Sequence, residues 1–261
     1  MGFRPKPSFF FRFGGEAAKT EEKEFFGGGF ASPEPPPREY TTIALLTNTM
    51  STIAAPPTAQ AYFSSRAFRV LLDCLARPGS IGTLPLPPQD DGLPPLAATL
   101  RPNPYAVAAF LSLLDQTTSM AHAAEGLWLT AEHPLTRWIM LRSNAQIGPP
   151  AFADYVLLHD PASAGCLSEL KQGSLTFPEQ SCTAFLCVAQ LDACGATWRL
   201  EGPGIANSGS VGLPGLTPNV LKGIMATRAH FPLGVDIFCI DATGACLGLP
   251  RTTRIEAVYS R

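Results

Sequence analysis

The richest concentration of chemically capable side chains lies near the end of the chain, where Arg228, His230 and Asp236 are followed by Pro250-Arg251-Thr252-Thr253-Arg254. An arginine presents a fixed fork of donors to a phosphate or carboxylate, and neighbouring threonines add hydroxyl donors, so Arg251-Thr252-Thr253 at a strand end has the makings of an oxyanion holder. The structural alternative is that Arg251 pairs with Asp236 inside the fold or at a subunit contact, and the residues alone leave both open. A second anion candidate is Gly202-Pro203-Gly204, followed by Asn207, Ser208, Gly209 and Ser210, which can turn sharply and present backbone N–H groups. It matches neither the phosphate-binding P-loop nor the dinucleotide fingerprint, and Pro203 removes one donor, so a tight turn after a strand competes with the anion reading.

Other chemistries find less support. Beyond Met50 the only lysines are Lys171 and Lys222, and neither sits in a recognisable cofactor motif, although Lys222 lies on an expected helix and is the candidate Schiff-base former. There is no Gly-x-Ser-x-Gly elbow. His122, His133, His159 and His230 read as isolated, with no pairing at ligand spacing, and the seven cysteines contain no Cys-x-x-Cys pair, so no metal site and no iron–sulfur cluster is expected. The cysteines sit among apolar neighbours, as in Phe185-Leu186-Cys187-Val188, which suits free thiols in a reducing cytoplasm.

The elements that must position these residues alternate in type. Phe68, Leu71, Leu72 and Leu75 share one face of a helix over 62–77, stopped by Pro78-Gly79. Asn103 caps a second helix with Pro104 at its first position, and Val107, Phe110, Leu111 and Leu114 repeat the spacing. A proline-rich connection over 84–95 separates the two helices. Residues 152–158, 182–191 and 197–200 read as short buried strands. Thr217-Pro218 opens a helix to about His230, and 235–240 with 245–249 form a terminal hairpin. The alternation predicts a layered α/β domain.

Composition sets the outer bounds. Hydrophobic residues make up 46% and charged residues 15% of the 261, enough for a large core, and the net charge of −2 argues against a nucleic-acid binder. No run approaches the roughly 18 apolar residues of a membrane span, and no secretory signal is expected from Phe9-Phe10-Phe11 leading into Arg12 and Gly14. Residues 1–60 are rich in Phe, Gly, Pro and charge clusters without periodicity and are expected to be a disordered or spurious extension; 61–261 is expected to be a single domain.

In order along the chain, Phe68-Arg69, Ala76-Arg77-Pro78-Gly79, Leu113-Leu114-Asp115, Phe177-Pro178-Glu179, Leu200-Glu201-Gly202-Pro203-Gly204-Ile205, Phe231-Pro232-Leu233-Gly234-Val235-Asp236 and Leu249-Pro250-Arg251-Thr252-Thr253 resemble the PhnH family, the H subunit of the bacterial carbon–phosphorus lyase core complex. The resemblance implies a three-layer α/β/α sandwich with a mixed sheet, similar to the pyridoxal-phosphate-dependent transferase fold but without the cofactor. It also implies partnership with subunits G, I and J, a homodimer when isolated, and a part in making a ribose 1-phosphonate 5-triphosphate from ATP and an alkylphosphonate with release of adenine. Two roles follow: a scaffold without catalysis of its own, or a nucleotide- or phosphonate-binding subunit whose contacts are Gly202, Gly204, Arg228, His230, Arg251, Thr252 and Thr253.

Overall fold

The computed structural model describes residues 58–88, 100, 102–191, 198–206, 209–211 and 218–257. Of the expected extension 1–60, only Thr58, Ala59 and Gln60 fall among these; they open the first helix. Asn207, Ser208, Thr217 and Cys194 lie outside the described residues.

The element order is α1 (Ala59–Ala76), β1 (Ile81–Thr83), α2 (Pro104–Leu111), β2 (Ser119–Ala124), β3 (Leu127–Trp128), α3 (Pro134–Ser143), β4 (Gln146–Ile147), β5 (Tyr155–Leu158), β6 (Thr183–Cys187), β7 (Trp198–Glu201), β8 (Gly209–Val211), α4 (Pro218–Ala226), β9 (Asp236–Ile240), β10 (Ala245–Leu249) and β11 (Arg254–Ala257). An eight-stranded sheet runs β1-β10-β9-β6-β5-β2-β3, with β4 sharing the outer edge of β2. Its centre, β9-β6-β5-β2, is parallel, while β1, β10 and β3 are antiparallel to their neighbours, so the sheet is mixed. A three-stranded sheet, β11-β7-β8, stands apart from it.

Both faces of the large sheet are covered, which is why its central strands are uninterrupted apolar runs instead of alternating ones. Phe185 of β6 and Phe238 of β9 pack with Phe63 and Leu71 of α1, Phe110 of α2 and Leu135 and Ile139 of α3. On the opposite face Leu186, Ile237 and Leu249 meet the 3₁₀ segment Pro161–Glu169, the α4 residues Val220, Leu221 and Ile224, and Leu200 and Ile255 of the small sheet. Among the described residues no helix is long and apolar enough to cross a membrane.

Several expected elements are present. The Asn103 side chain caps α2 by accepting from the N–H groups of Tyr105 (3.0 Å) and Ala106 (3.3 Å), and its amide donates to the Asp241 carbonyl (2.7 Å), tying the helix start to the β9–β10 turn. The hairpin of β9 and β10 forms as expected, turning through Asp241–Gly244.

The expected burial face of α1 is corrected. Phe68 and Leu72 are exposed (51% and 57%), and the buried line is Phe63, Ala67, Leu71 and Cys74. The reason is close approach: a Cβ at Gly248 of β10 would lie 2.5 Å from the Cys74 carbonyl oxygen, and one at Gly82 of β1 would lie 2.8 Å from the Cys74 Sγ. A helix seated this near a sheet needs small residues between the two backbones, and Ala67 and Cys74 supply them where Phe68 and Leu72 would not fit.

Candidate functional site

The turn Pro250–Thr253 joins the large sheet to the small one. β10 ends at Leu249, the Thr253 N–H closes the turn on the Pro250 carbonyl (2.9 Å), and β11 begins at Arg254 opposite Glu201 of β7. A pocket of about 740 Å³ opens there, lined among the described residues by Gly202, Arg228, Arg251, Thr252 and Thr253, with Met225 and Phe231 as apolar wall and Glu201, Arg254 and Glu256 as further charged groups.

Most of the expected site residues therefore meet, and two do not. His230 is exposed and does not line the pocket. Gly204 faces away from it: its φ is +84° and a Cβ there would lie 2.5 Å from the Ala76 carbonyl oxygen, so it serves the close packing of the Ala76-Arg77-Pro78-Gly79 segment. Gly202 packs on the turn itself, where a Cβ would sit 2.9 Å from the Thr252 carbonyl oxygen.

Arg228 and Arg251, two of the three arginines that line the pocket, are used differently. Arg228 spends Nη1 on the Ile224 carbonyl (2.8 Å) and the Thr227 hydroxyl (3.1 Å) and Nη2 on the Leu249 carbonyl (2.6 Å), pinning the end of α4 to the end of β10. Burial pushes its guanidinium down to about 10, so it remains a cation at neutral pH. Its Nε and the Thr253 hydroxyl are both buried without a hydrogen-bond partner among the described residues, which makes the ground beneath the pocket polar and positive.

Arg251 is held at its backbone and at one end of its side chain. Its N–H donates to Asp236 Oδ1 (2.8 Å), and its Nη1 donates to the Pro178 carbonyl (2.7 Å) and to the Ser181 hydroxyl. The ion pair with Asp236 that the sequence left open exists as a loose one, 3.9 Å from Nη1 to Oδ2. Nε and Nη2 make no hydrogen bond with the described residues and are not sealed from solvent. Gly234 lies under this side chain; a Cβ there would be 2.9 Å from Arg251 Cβ and 2.7 Å from the Thr227 carbonyl oxygen.

Neither lysine joins this site. Lys171 pairs with Asp154 at 3.2 Å, and Lys222 is exposed on α4. The six described cysteines are free and buried, and burial pushes the Cys187 and Cys239 thiols up to about 12, far from a reactive thiolate.

Three of the four histidines, His122, His133 and His159, are not isolated, a correction to the sequence reading. His122 Nδ1 and His159 Nε2 are 3.0 Å apart, His122 Nε2 lies 2.6 Å from the Thr136 hydroxyl, and the His133 ring centroid is 6.4 Å from that of His122. Desolvation by burial, reinforced by His159 and His133, pushes His122 down to about 3; burial likewise pushes His159 down to about 4. The pair was invisible because its members lie on adjacent parallel strands, His122 opposite Leu157 and His159 just beyond the end of β5. Among the described residues no group of three or more His, Cys, Asp or Glu side chains is placed to hold a metal ion.

Four of the segments that carried the resemblance meet at Arg251 and its turn: Gly202 packs on Thr252, Pro178 and Asp236 are bonded to Arg251, and Gly234 lies beneath it. The family described as bacterial phosphonate metabolism protein (PhnH) matches residues 58–256. The chain belongs to the PhnH family. It is similar to a Rhizobium meliloti (strain 1021) protein named alpha-D-ribose 1-methylphosphonate 5-triphosphate synthase subunit PhnH, with 32% identity over 196 residues, covering 72% of this chain and 88% of the relative. It is also similar to a Stutzerimonas stutzeri protein named putative C-P lyase subunit protein HtxG, 38% identical over 84 residues, which cover 32% of this chain and 42% of that one. The PhnH match begins at Thr58, the residue that caps α1 by accepting from the Ala61 N–H (3.2 Å), and ends within β11, so it takes in all the elements described above.

Proposed function

We propose that the chain is a subunit of the carbon–phosphorus lyase system of phosphonate catabolism, acting in the cytoplasm in the transfer of a ribosyl triphosphate from ATP to an alkylphosphonate with adenine released. Its part is to bind an oxyanion of nucleotide or phosphonate in the Arg251 pocket, with Gly202, Arg228, Thr252 and Thr253 as the surrounding contacts and Gly204 and His230 outside the first layer. The observation that carries this reading is the meeting of four of the family's segments at Arg251, in the wall of a pocket that also holds Arg228, Thr252 and Thr253. The mixed sheet with helices on both faces is compatible with a three-layer sandwich related to pyridoxal-phosphate-dependent transferases. Lys171 and Lys222 both stand away from the pocket, which favours a chain that works without that cofactor. Partners in this reading are subunits G, I and J, with a homodimer formed when the chain is alone.

A scaffold role is the second reading, favoured by one observation: among the described residues the pocket is lined by no nucleophile with an adjacent base. Reconstitution decides between the two. Adenine release from ATP, dependent on methylphosphonate, is expected from subunits G, I and J, together with the L protein that the PhnH resemblance also implies, only when this chain is added. With Arg251→Ala, the assembled complex is expected to lose most of that release. Full release from a normally assembled Arg251→Ala complex would establish the scaffold role, and release that never depends on this chain would end both readings.

A further inference from the structure

The loop between the 3₁₀ segment Pro161–Glu169 and β6 has little of its own to hold it. None of the residues 171–181 is buried, and Leu175 and Phe177 are 78% and 50% exposed. Internal order comes from a turn in which the Ser174 N–H donates to the Phe177 carbonyl (3.2 Å) and the Phe177 N–H donates to the Ser174 hydroxyl (3.0 Å), from the single 3₁₀ turn Pro178–Gln180, closed by the Gln180 N–H on the Phe177 carbonyl (3.3 Å), and from Gly173 packed on Pro178. The base is closed by the Cys182 N–H on the Lys171 carbonyl (2.7 Å) and by the Lys171–Asp154 ion pair. Toward the pocket, two ties hold it: the Gly234 N–H on the Gln172 carbonyl (3.0 Å), and the Arg251 guanidinium on Pro178 and Ser181. A segment held by a few hydrogen bonds with no buried apolar side chain opens at low free-energy cost, so each tie has leverage over its order.

Arg251 is thus shared between two clients. Both Nη1 hydrogens go to the loop, to the Pro178 carbonyl and the Ser181 hydroxyl. The opposite edge, formed by Nε and Nη2, is the side-on fork that donates to two oxygens of one tetrahedral anion, and in this pocket-lining side chain it makes no hydrogen bond with the described residues. The guanidinium is planar and rigid, so an anion that fixes one edge also fixes the other.

We infer that a phosphate- or phosphonate-type oxyanion seated on the Nε–Nη2 edge of Arg251 orders the loop Lys171–Ser181, making that loop the reporter of pocket occupancy. This rests on the reading of the pocket as an oxyanion site. The coupling is reciprocal: a loop released from Arg251 leaves the guanidinium free to turn and weakens the anion site by the same factor. Occupancy thereby sets how the exposed Leu175 and Phe177 are presented on the surface.

The test is hydrogen–deuterium exchange of the full chain with inorganic phosphate, methylphosphonate or ATP, alongside calorimetric affinities for the same three probes. The expected result is slowed exchange across 171–181 on binding, which is lost in Arg251→Ala together with about a ten- to hundredfold loss of affinity. Ser181→Ala, which touches only the loop side, is expected to weaken binding by about fivefold or more. Far-UV circular dichroism of each variant establishes that it is folded, and Ser181→Ala supplies the answer if Arg251→Ala is not. Binding by ATP or methylphosphonate but not by phosphate identifies an esterified or carbon-linked ligand as the source of the anion. Binding that leaves exchange in 171–181 and the affinity of Ser181→Ala unchanged overturns the coupling while sparing the pocket. Absence of binding by all three probes overturns both.

Discussion

Acidification from pH 7 to pH 5 should remove on the order of 4 kcal/mol of folding free energy, about 2 kcal/mol for each of His122 and His159. Both rings are buried and face one another through Nδ1 and Nε2 at 3.0 Å, a contact in which one nitrogen must donate and the other accept. That requirement keeps at least one ring neutral, and burial pushes both down, to about 3 for His122 and about 4 for His159. In the unfolded chain a histidine takes its proton near pH 6.5, so between that value and about 4 the unfolded state binds more protons than the folded one. Stability is therefore greatest above pH 6.5 and falls as the pH drops through this window. Urea unfolding at several pH values measures the slope. His159→Gln should flatten it by about half, and a wild-type stability that is constant from pH 7 to pH 5 would disprove the assignment.

Phe185→Ala should destabilise the chain by about 3–5 kcal/mol, the range for removing a fully buried aromatic ring from a core that cannot collapse around the space. Phe185 sits on β6 in the middle of the parallel strands, with its ring edge-on to Phe110 of α2 at 5.6 Å and tilted against Phe238 of β9 at 5.2 Å. Its removal uncouples a helix from two strands at once. The expected readout is a lower urea midpoint at unchanged m, and Phe185→Leu should recover part of the loss. A loss below about 1 kcal/mol would mean that the three aromatic residues do not form the centre of this layer.

How much of this was legible depended on whether the signal was local. Asn103-Pro104 announced α2 because a cap and a fixed φ are properties of adjacent residues, and the hairpin of β9 and β10 was legible for the same reason. The strand β2, Ser119–Ala124, carries no local signal: it is rich in alanine, carries His122, and becomes a strand only through its buried place beside β5. Its companion α3 did carry a local signal, His133 before Pro134, the same cap-then-proline pattern as α2, with the His133 ring accepting from the Leu135 N–H at 3.3 Å. The face of α1 is not legible from periodicity, because hydrophobicity alone favours Phe68 and Leu72, whereas the sheet it meets brings glycine, and glycine selects small partners. At the pocket, Arg251, Thr252 and Thr253 were legible by residue chemistry. The dependence of Arg251 on Pro178 and Ser181 was not, because those residues lie roughly seventy positions away.

The turn that carries Arg251 is fixed by main-chain groups. Its N–H is taken by Asp236, the Thr253 N–H returns to Pro250, and Gly202 and Gly234 crowd the turn where no other residue would fit. The shape of the pocket rim is thereby separable from the chemistry displayed on it. A substitution at position 251 alters what the pocket attracts while the backbone beneath stays where it is, whereas a substitution at Asp236, Gly202 or Gly234 deforms the frame and every group mounted on it. Ligand preference in this architecture is free to diverge by single changes at the turn's side chains, with the glycines and the aspartate remaining under constraint from folding alone.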